Sequence, residues 1–492
     1  MKQQAQTPET KGQRRLIAGL LLAGTFIAIL NQTLMITAIP PIMHEMHITA
    51  NSAQWLTTVF MLVNGVMVPV SAFLIEKFTT RRLFLSAMSI FVVGTVICAI
   101  APTFQLLLLG RVVQSAGAGI MLPLMQTVFL LIFPVKNRGA AMGIIGLVIS
   151  FAPAIGPALS GWITEHYSWR VLFELILPIA VIDILVAAIA MKNVTELTNP
   201  KVDVVSIILS SFGFGGLLYG FSCAGNYGWG AVSTVVSLAI GTVTLFLFIR
   251  RQLKMRVPML EFKVFGYPIF TLATGITMIV FMGLIGAETL IPLYMQNVRG
   301  FNAMQSGLVL LPGALIMGIT SPITGRIFDR IGARWLAIIG MALFAAATIP
   351  FTNLDPTTSF AFVTTMYAIR MLGMSMVMMP VTTAGLNQLP KKLIPHGAAM
   401  SNTMRMVAGA VGTAILVTVM TTTAEHADAL TPTQAHIHGI NVAFMVAAIL
   451  AIIGLLASFF VKRTHPPDDD IEQNRANHAI AKNERTSTTT GN

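Results

Sequence analysis

From Leu16 to Met43 the chain carries no charged residue, and similar apolar runs recur along its length, separated by short polar gaps. Each run is near the roughly 20 residues that a helix needs to cross a bilayer, about twice what a spanning strand requires. The pattern predicts membrane helices near 16–37, 52–73, 83–101, 105–131, 140–163, 172–191, 204–222 and 231–249. Six more are predicted near 268–292, 304–325, 335–352, 360–385, 398–420 and 440–461. The first run follows Lys11, Arg14 and Arg15, as a secretion signal would, but it is too long for one and no small-residue cleavage site follows. It also holds a polar triplet, Asn31, Gln32 and Thr33, in "ILNQTLMITAIP". Polar groups at that depth need partners.

Composition agrees with lipid as the solvent. Of 492 residues, 55% are hydrophobic and 10% charged, with mean hydropathy +0.77; soluble chains carry about 25% charged residues. The net charge of +12 is concentrated in alternate gaps. Lys77, Arg81, Arg82, Lys136, Arg138, Lys192, Lys201, Arg250, Arg251, Lys254, Arg256 and Lys263 lie there, followed by Arg326, Arg330, Arg334, Lys391, Lys392, Lys462 and Arg463. The opposite gaps hold Arg170 and Arg299. This asymmetry predicts a multi-pass cell-membrane protein with both termini cytosolic. The basic excess is thereby assigned to topology and anionic lipid, and nucleic acid is excluded as a partner. Cys98 and Cys223 both fall at apolar positions, so no disulfide framework is expected. The tail at 462–492 is polar enough to predict disorder. No segment has room for a soluble nucleotide-binding unit and no GxxxxGK[ST] occurs, which disfavours an ATP-driven pump.

The turn "SAFLIEKFTTRR" at 71–82 is echoed by "TGRIFDRIGAR" at 324–334. Both enter a basic gap, and both place an acid before a base and then further arginine. Two such turns at equivalent places suggest a duplicated bundle. Eight spans separate them where a six-helix repeat needs six, so spans 7 and 8 look inserted. The expected division is a cytosolic segment 1–15, a six-helix half 16–191, inserted helices with linkers 192–267, a second half 268–461 and the tail 462–492.

At these turns the chain resembles the major facilitator superfamily. Within it, it is similar to the fourteen-helix drug:proton antiporter-2 (EmrB/QacA-like) branch, on its lincomycin-resistance, LmrB-like side. "GRIFDRIGAR" is close to the family's GxLaDrxGrr turn, while Ala72, Glu76 and Thr79 depart from it in the first copy. "RVVQSAGAG" at 111–119 matches the helix-4 segment, with Ser115 for a glycine. "GIIGLVISFAPAIGPALSGWI" at 143–163 matches the helix-5 antiporter segment, and "SWRVLFELILPIA" at 168–180 the entrance to helix 6, with Ile176 for an asparagine. The resemblance implies an all-α fold of two six-helix halves plus two central helices, fourteen in all. It implies export of amphipathic drugs or antibiotics by alternating access, in exchange for protons. Neither catalysis nor a cofactor is expected, and a monomer in lipid would suffice.

Asn31 falls where the resembled branch often carries a helix-1 aspartate, and an amide cannot carry a proton near neutral pH. Asn31, Gln32 and Thr33 are therefore expected to contact substrate or a neighbouring helix, with Arg405 as a further cavity residue. The coupling proton must sit elsewhere. Glu288, Asp183 and Glu174 are the acids at membrane depth, and such acids are functional by default. Glu288 precedes Pro292 by four residues, so its carbonyl loses a helical donor. The resemblance puts Arg111 near the proton path. For Arg370 and Arg405 a structural pair or carbonyl clamp is as good a reading. The acid–base turns Glu76, Lys77, Arg81, Arg82 and Asp329, Arg330, Arg334 are expected to latch the cytosolic side. In helix 5, Gly146, Gly156, Pro157 and Gly161 are expected to form a close, bendable seal, against the plainer reading of ordinary helix packing. Most of the 30 methionines read as filler, and the loop with Glu425, His426, Asp428, His436 and His438 reads as a surface feature with no metal. The rivals are a dedicated exporter of one metabolite, lipid or peptide, and a membrane sensor or channel, which the paired turns and lack of a signalling domain disfavour.

Overall fold

The computed structural model describes residues 10–195, 197–198, 200, 202–427 and 431–462. Among them are fourteen long helices and no strand. The first six are α1 (Lys11–Met46), α2 (Ala50–Lys77), α3 (Thr80–Ala99), α4 (Phe104–Ile132), α5 (Arg138–His166) and α6 (Val171–Ala190). Then come α7 (Val204–Tyr227) and α8 (Val232–Lys254). The last six are α9 (Pro268–Asn297), α10 (Ala303–Ile331), α11 (Ala333–Thr348), α12 (Phe360–Asn387), α13 (Ile394–Glu425) and α14 (Pro432–Ser458). All fourteen are long and apolar enough to cross a membrane. Residues 463–492, Lys201 and Asp428 lie outside the described residues, and with them the expected disorder of the tail.

Most of the helices overrun the hydropathy windows because polar caps, not apolar length, end them. Hydroxyl, carboxylate or amide side chains of Thr10, Thr49, Thr79, Thr103, Asp203, Asn302, Ser359 and Thr431 accept from the third N–H beyond them. Such caps satisfy backbone donors that lipid cannot.

Helices α1–α6 pack among themselves in a pattern that α9–α14 repeat. In the first set α3 lies on α4 and α6, α1 on α5 and α6, and α2 on α4. In the second, α11 lies on α12 and α14, α9 on α13 and α14, and α10 on α12. The two sets meet along two seams, α5 against α10 and α2 against α13. The α7–α8 hairpin lies beside the second seam, α7 touching both α2 and α13. Gly216 and Gly241 let α7 and α8 cross closely: a Cβ on Gly216 would stand 2.8 Å from the Gly241 Cα. On α8, Val232, Val235, Val236, Val243 and Phe246 remain exposed, a face suited to lipid.

Helix starts and ends alternate, so the basic loops share one end, called here the basic end. There the sets are pressed together. Pro123–Leu130 of α4, Val377–Asn387 of α12 and Ile394–Thr403 of α13 are buried without interruption. Toward the far end α10 exposes Met304, Gln305, Gly307 and Leu308, and α2 exposes Gln54, Trp55 and Met61. The bundle is closed at the basic end and loosens toward the other.

The hairpin's base is knotted by polar bonds. Arg251 Nε and Nη2 donate to Asp203 at 2.9 and 3.0 Å. The Ser206 hydroxyl donates to Asp203 at 2.5 Å and accepts from Gln252 at 2.6 Å. The Arg251 hydrogen bonds push the Asp203 carboxyl down to about 2. A depressed carboxyl stabilises the fold above its unfolded value, near 4, and that contribution is lost as pH falls through the folded value. Asp203→Asn should therefore cost about 1 kcal/mol near neutral pH. The deficit, read from thermal unfolding in detergent, should vanish as pH is lowered from about 4 toward about 2.

Candidate functional site

Arg111 on α4 is fully buried, and its partners come from two other helices and its own. Its Nη1 donates to Asn31 Oδ1 on α1 at 2.6 Å and to Gln114 Oε1 at 2.8 Å. Its Nε donates to the Leu56 carbonyl of α2 at 3.2 Å, and its guanidinium stands 4.3 Å from the Phe60 ring centre. Gln114 passes the network on to Thr95 of α3 at 2.7 Å. Asn31 is 2% exposed, so its amide serves the arginine and does not line open space. An amide satisfies a hydrogen bond but leaves the guanidinium charge unneutralised.

The α9–α14 set holds a counterpart. Arg370 on α12 donates to Thr348 of α11 at 3.1 Å and to the Gly283 carbonyl of α9, with the Phe344 ring 4.4 Å away. Thr348 occupies the role of Thr95, and α9 that of α1. Here the charge is answered differently. Glu288, also on α9, interacts electrostatically with Arg370 and Tyr367. Its side chain is nonetheless exposed, while Ala287 and Leu290 beside it are buried. It lies one turn beyond Ile285, which with Phe281 packs near Gly409 of α13. A carboxylate thus reaches accessible space beside a buried cation.

The remaining polar positions are dispersed. Asp183 of α6 is buried inside the first set, its Oδ2 near Gly24 of α1 and in the surroundings of Phe84 and Met88 of α3. Glu174 is exposed in the first turn of α6, where a helix N-terminus favours an acid. Arg405 donates to Asn402, whose amide donates to Gln126 of α4 at 2.6 Å, a bond across the sets. Thr33 is taken up in helix packing, its hydroxyl donating to the Leu30 carbonyl at 2.9 Å and facing Gly156 of α5. Gln32 is half-buried next to it.

The expected latch closes in another way. Asp329 of α10 accepts from the Gly139 and Ala140 N–H groups at 2.7 and 2.8 Å, capping the start of α5. Glu76 of α2 meets His396 Nε2 near the start of α13 at 3.0 Å. The acids thus bridge the sets without the neighbouring bases. Arg82, Arg330 and Arg334 are exposed, Arg81 donates to the Ala188 carbonyl, and Lys77 lies 5.3 Å from the Phe73 ring. The reason is geometric: one residue along a helix points about 100° away from its neighbour, so acid and base cannot face the same seam.

The helix-5 glycines divide as well. Gly146 faces Ser321 of α10 and Met379 of α12 across the seam, whereas Gly156 meets α1 and Pro157 offers its carbonyl to Thr37 at 3.4 Å. A Cβ on Gly161 would meet nothing within 4 Å, so Gly161 makes no close helix contact. Among the described residues no three His, Cys, Asp or Glu gather to hold a metal. His426 and His436 bond carbonyls of their own helices at 2.8 and 2.9 Å.

The Major Facilitator Superfamily profile matches residues 21–413. This chain belongs to that superfamily. It is 57% identical over 454 residues to the uncharacterized MFS-type transporter YcnB of Bacillus subtilis strain 168, covering 92% of this chain and 96% of the relative. It is 44% identical over 458 residues to the lincomycin resistance protein LmrB of the same organism, covering 91% and 95%. The human organic anion transporter MFSD10 shares the fold at TM-score 0.64 and 12% identity, over 89% of this chain and 99% of that one.

Sequence reasoning missed three groups in this superfamily member. The first is Glu45, which accepts from Trp169 at 2.7 Å and Arg170 at 2.5 Å and ties α1 to the start of α6. The Arg170 bond holds its carboxyl below the usual range. Trp169 and Arg170 stood in a quoted motif, but Glu45 had no local signal. The second is the Asn402–Gln126 bridge. The third is His396, and it had one: "GAAM" occurs at 139–142 and again at 397–400, making His396 the counterpart of Arg138.

Asn31→Ala would strip Arg111 of its α1 acceptor while leaving it buried. Losing one hydrogen-bond acceptor of a buried charged group costs about 2 kcal/mol. Thermal unfolding in detergent should show the loss, and Asn31→Asp should restore stability with no gain in preference for cationic substrates.

Proposed function

We propose that this chain is a proton-coupled efflux transporter that exports amphipathic drugs or antibiotics by alternating access. The observation that carries the reading is Glu288, an accessible carboxylate beside buried Arg370 on the first helix of the second set. Asp183 is walled inside the first set and Glu174 stands at the far rim, so Glu288 is the acid best placed to trade a proton for a substrate. Likeness to a lincomycin resistance protein supports an antibiotic as cargo. Moving one proton down 100 mV releases about 2.3 kcal/mol, enough for a roughly fiftyfold gradient per proton.

The reading includes a division into halves 16–191 and 268–461, with 192–267 as an insertion, supported by the repeated packing pattern. It places the basic end in the cytosol, supported by the Lys/Arg asymmetry. Protease added outside intact cells should leave a tag at the C-terminus uncut; cleavage would reverse the orientation.

Glu288→Gln keeps the size of the side chain and fixes its uncharged form. Efflux driven by a pH gradient should fall at least tenfold in proteoliposomes, while substrate binding and exchange persist. Asp183→Asn is the comparison, and a greater loss there would move the proton to α6. Undiminished gradient-driven efflux by the Glu288→Gln protein would refute the assignment.

A further inference from the structure

An acid closes each seam, but on different partners and with different tethers. At α5/α10 the carboxylate of Asp329 caps its partner helix directly. At α2/α13 the Glu76–His396 contact is gripped from both sides by the linkers of the α7–α8 hairpin. From the linker before α7, the Thr198 N–H donates to the Glu76 carbonyl at 3.2 Å and its hydroxyl to the carboxylate at 3.3 Å. From the linker after α8, the Glu261 N–H donates to His396 Nδ1 at 3.3 Å. A ring nitrogen that accepts carries no proton, so the ring proton sits on Nε2 and is donated to Glu76.

The grip is anchored. Gln252, held by Ser206 at the hairpin base, accepts from the Met259 and Leu260 N–H groups at 2.7 and 3.2 Å and so fixes the backbone entering Glu261. At the other end of the hairpin, Trp229 donates to Thr418 of α13 at 2.7 Å. Along α7, Leu218 fills the space beside Gly65 of α2, and Tyr219 lies 5.6 Å from Trp55. Bonds therefore run from the hairpin base through Glu261, His396 and Glu76 to Thr198 and back to the linker.

We propose that His396 is a positioning residue of the transport cycle, through which the α7–α8 hairpin sets how readily the basic end opens. The inference rests on the alternating-access reading above and adds to it a role for the insertion. If α2 and α13 part at this end, His396 must release Glu76, and the linkers resist because each is bonded to one member of the pair.

The test reads access directly, with no substrate or proton gradient, so its outcome is independent of the Glu288 assignment. In full-length protein with Cys98 and Cys223 replaced by alanine, Ser401→Cys reports on the buried basic half of α13. Thr413→Cys reports on its half-buried far half. Each is labelled with a polar maleimide in detergent. His396→Ala, Thr198→Val and Glu261→Pro are compared, the last against Glu261→Ala, which keeps the N–H. The Glu261 φ of −84° is close to the value proline imposes. Losing one such bond should speed labelling at position 401 about tenfold and slow it at 413. Equal rises at both positions would mean a loosened fold and overturn the proposal. So would unchanged rates, or a Glu261→Pro protein that behaves as Glu261→Ala does.

Discussion

Everything in this bundle depends on answering polar groups where water cannot. Lipid is as apolar as leucine, so packing two sets of helices together yields little hydrophobic gain. The seams are held instead by close backbone approach and a few directed bonds at one end. Asp329 on the α5 N-terminus is the clearest case. Two orphan N–H donors and a helix dipole are satisfied by one carboxylate from the other set. Such a closure is short-ranged, so it releases fully once the groups part. Adjacent glycines make it possible, since a Cβ on Gly325 would stand 2.2 Å from the Gly139 carbonyl oxygen.

The same accounting explains the two buried arginines. Each set places one on its fourth helix, clamped by a threonine network on the third and a group on the first. In the first set the answering group is an amide, which holds geometry and leaves the charge standing. In the second a carboxylate lies within electrostatic range of the arginine without a direct ion pair, on an exposed position of α9. A charge that is fixed and one that can be answered or released by protonation make unequal partners. On the proposed proton-coupled reading, that inequality would give a duplicated bundle a direction for its chemistry.

Fold class and helix count were legible in the sequence because membrane thickness imposes a length on every apolar run. The acids of the two turns were legible too, through their repeat. Their partners were not: backbone N–H groups at the start of α5 have no residue signature, and His396 lies 320 positions from Glu76. Asn31 was read as a cavity or interhelix group, and the choice between them hung on Arg111, 80 positions away. The expectation that neighbouring bases complete each latch failed on helix geometry, and Gly161 was included on a motif whose contact with α1 runs through Gly156 and Ser160 but not through Gly161.

The recurrence of "GAAM" shows what duplication preserves and what it frees. The small residues recur at the starts of α5 and α13 with different neighbours: a Cβ on Gly139 would meet Gly325 and Phe328 of the opposing α10, whereas one on Gly397 would meet Leu386, Leu389 and Phe270 of its own set. The residue just before is buried in both copies but differs in chemistry. At Arg138 it became a fixed donor, bonding Asn387 across the sets at 2.8 Å. At His396 it became a ring that can accept on one side and donate on the other, which an arginine cannot do. A group able to face two partners can be tied to a third element, and at this seam the chain carries one, the inserted hairpin. The chemistry of a single side chain thus separates a seam that closes by itself from one that closes under a strap.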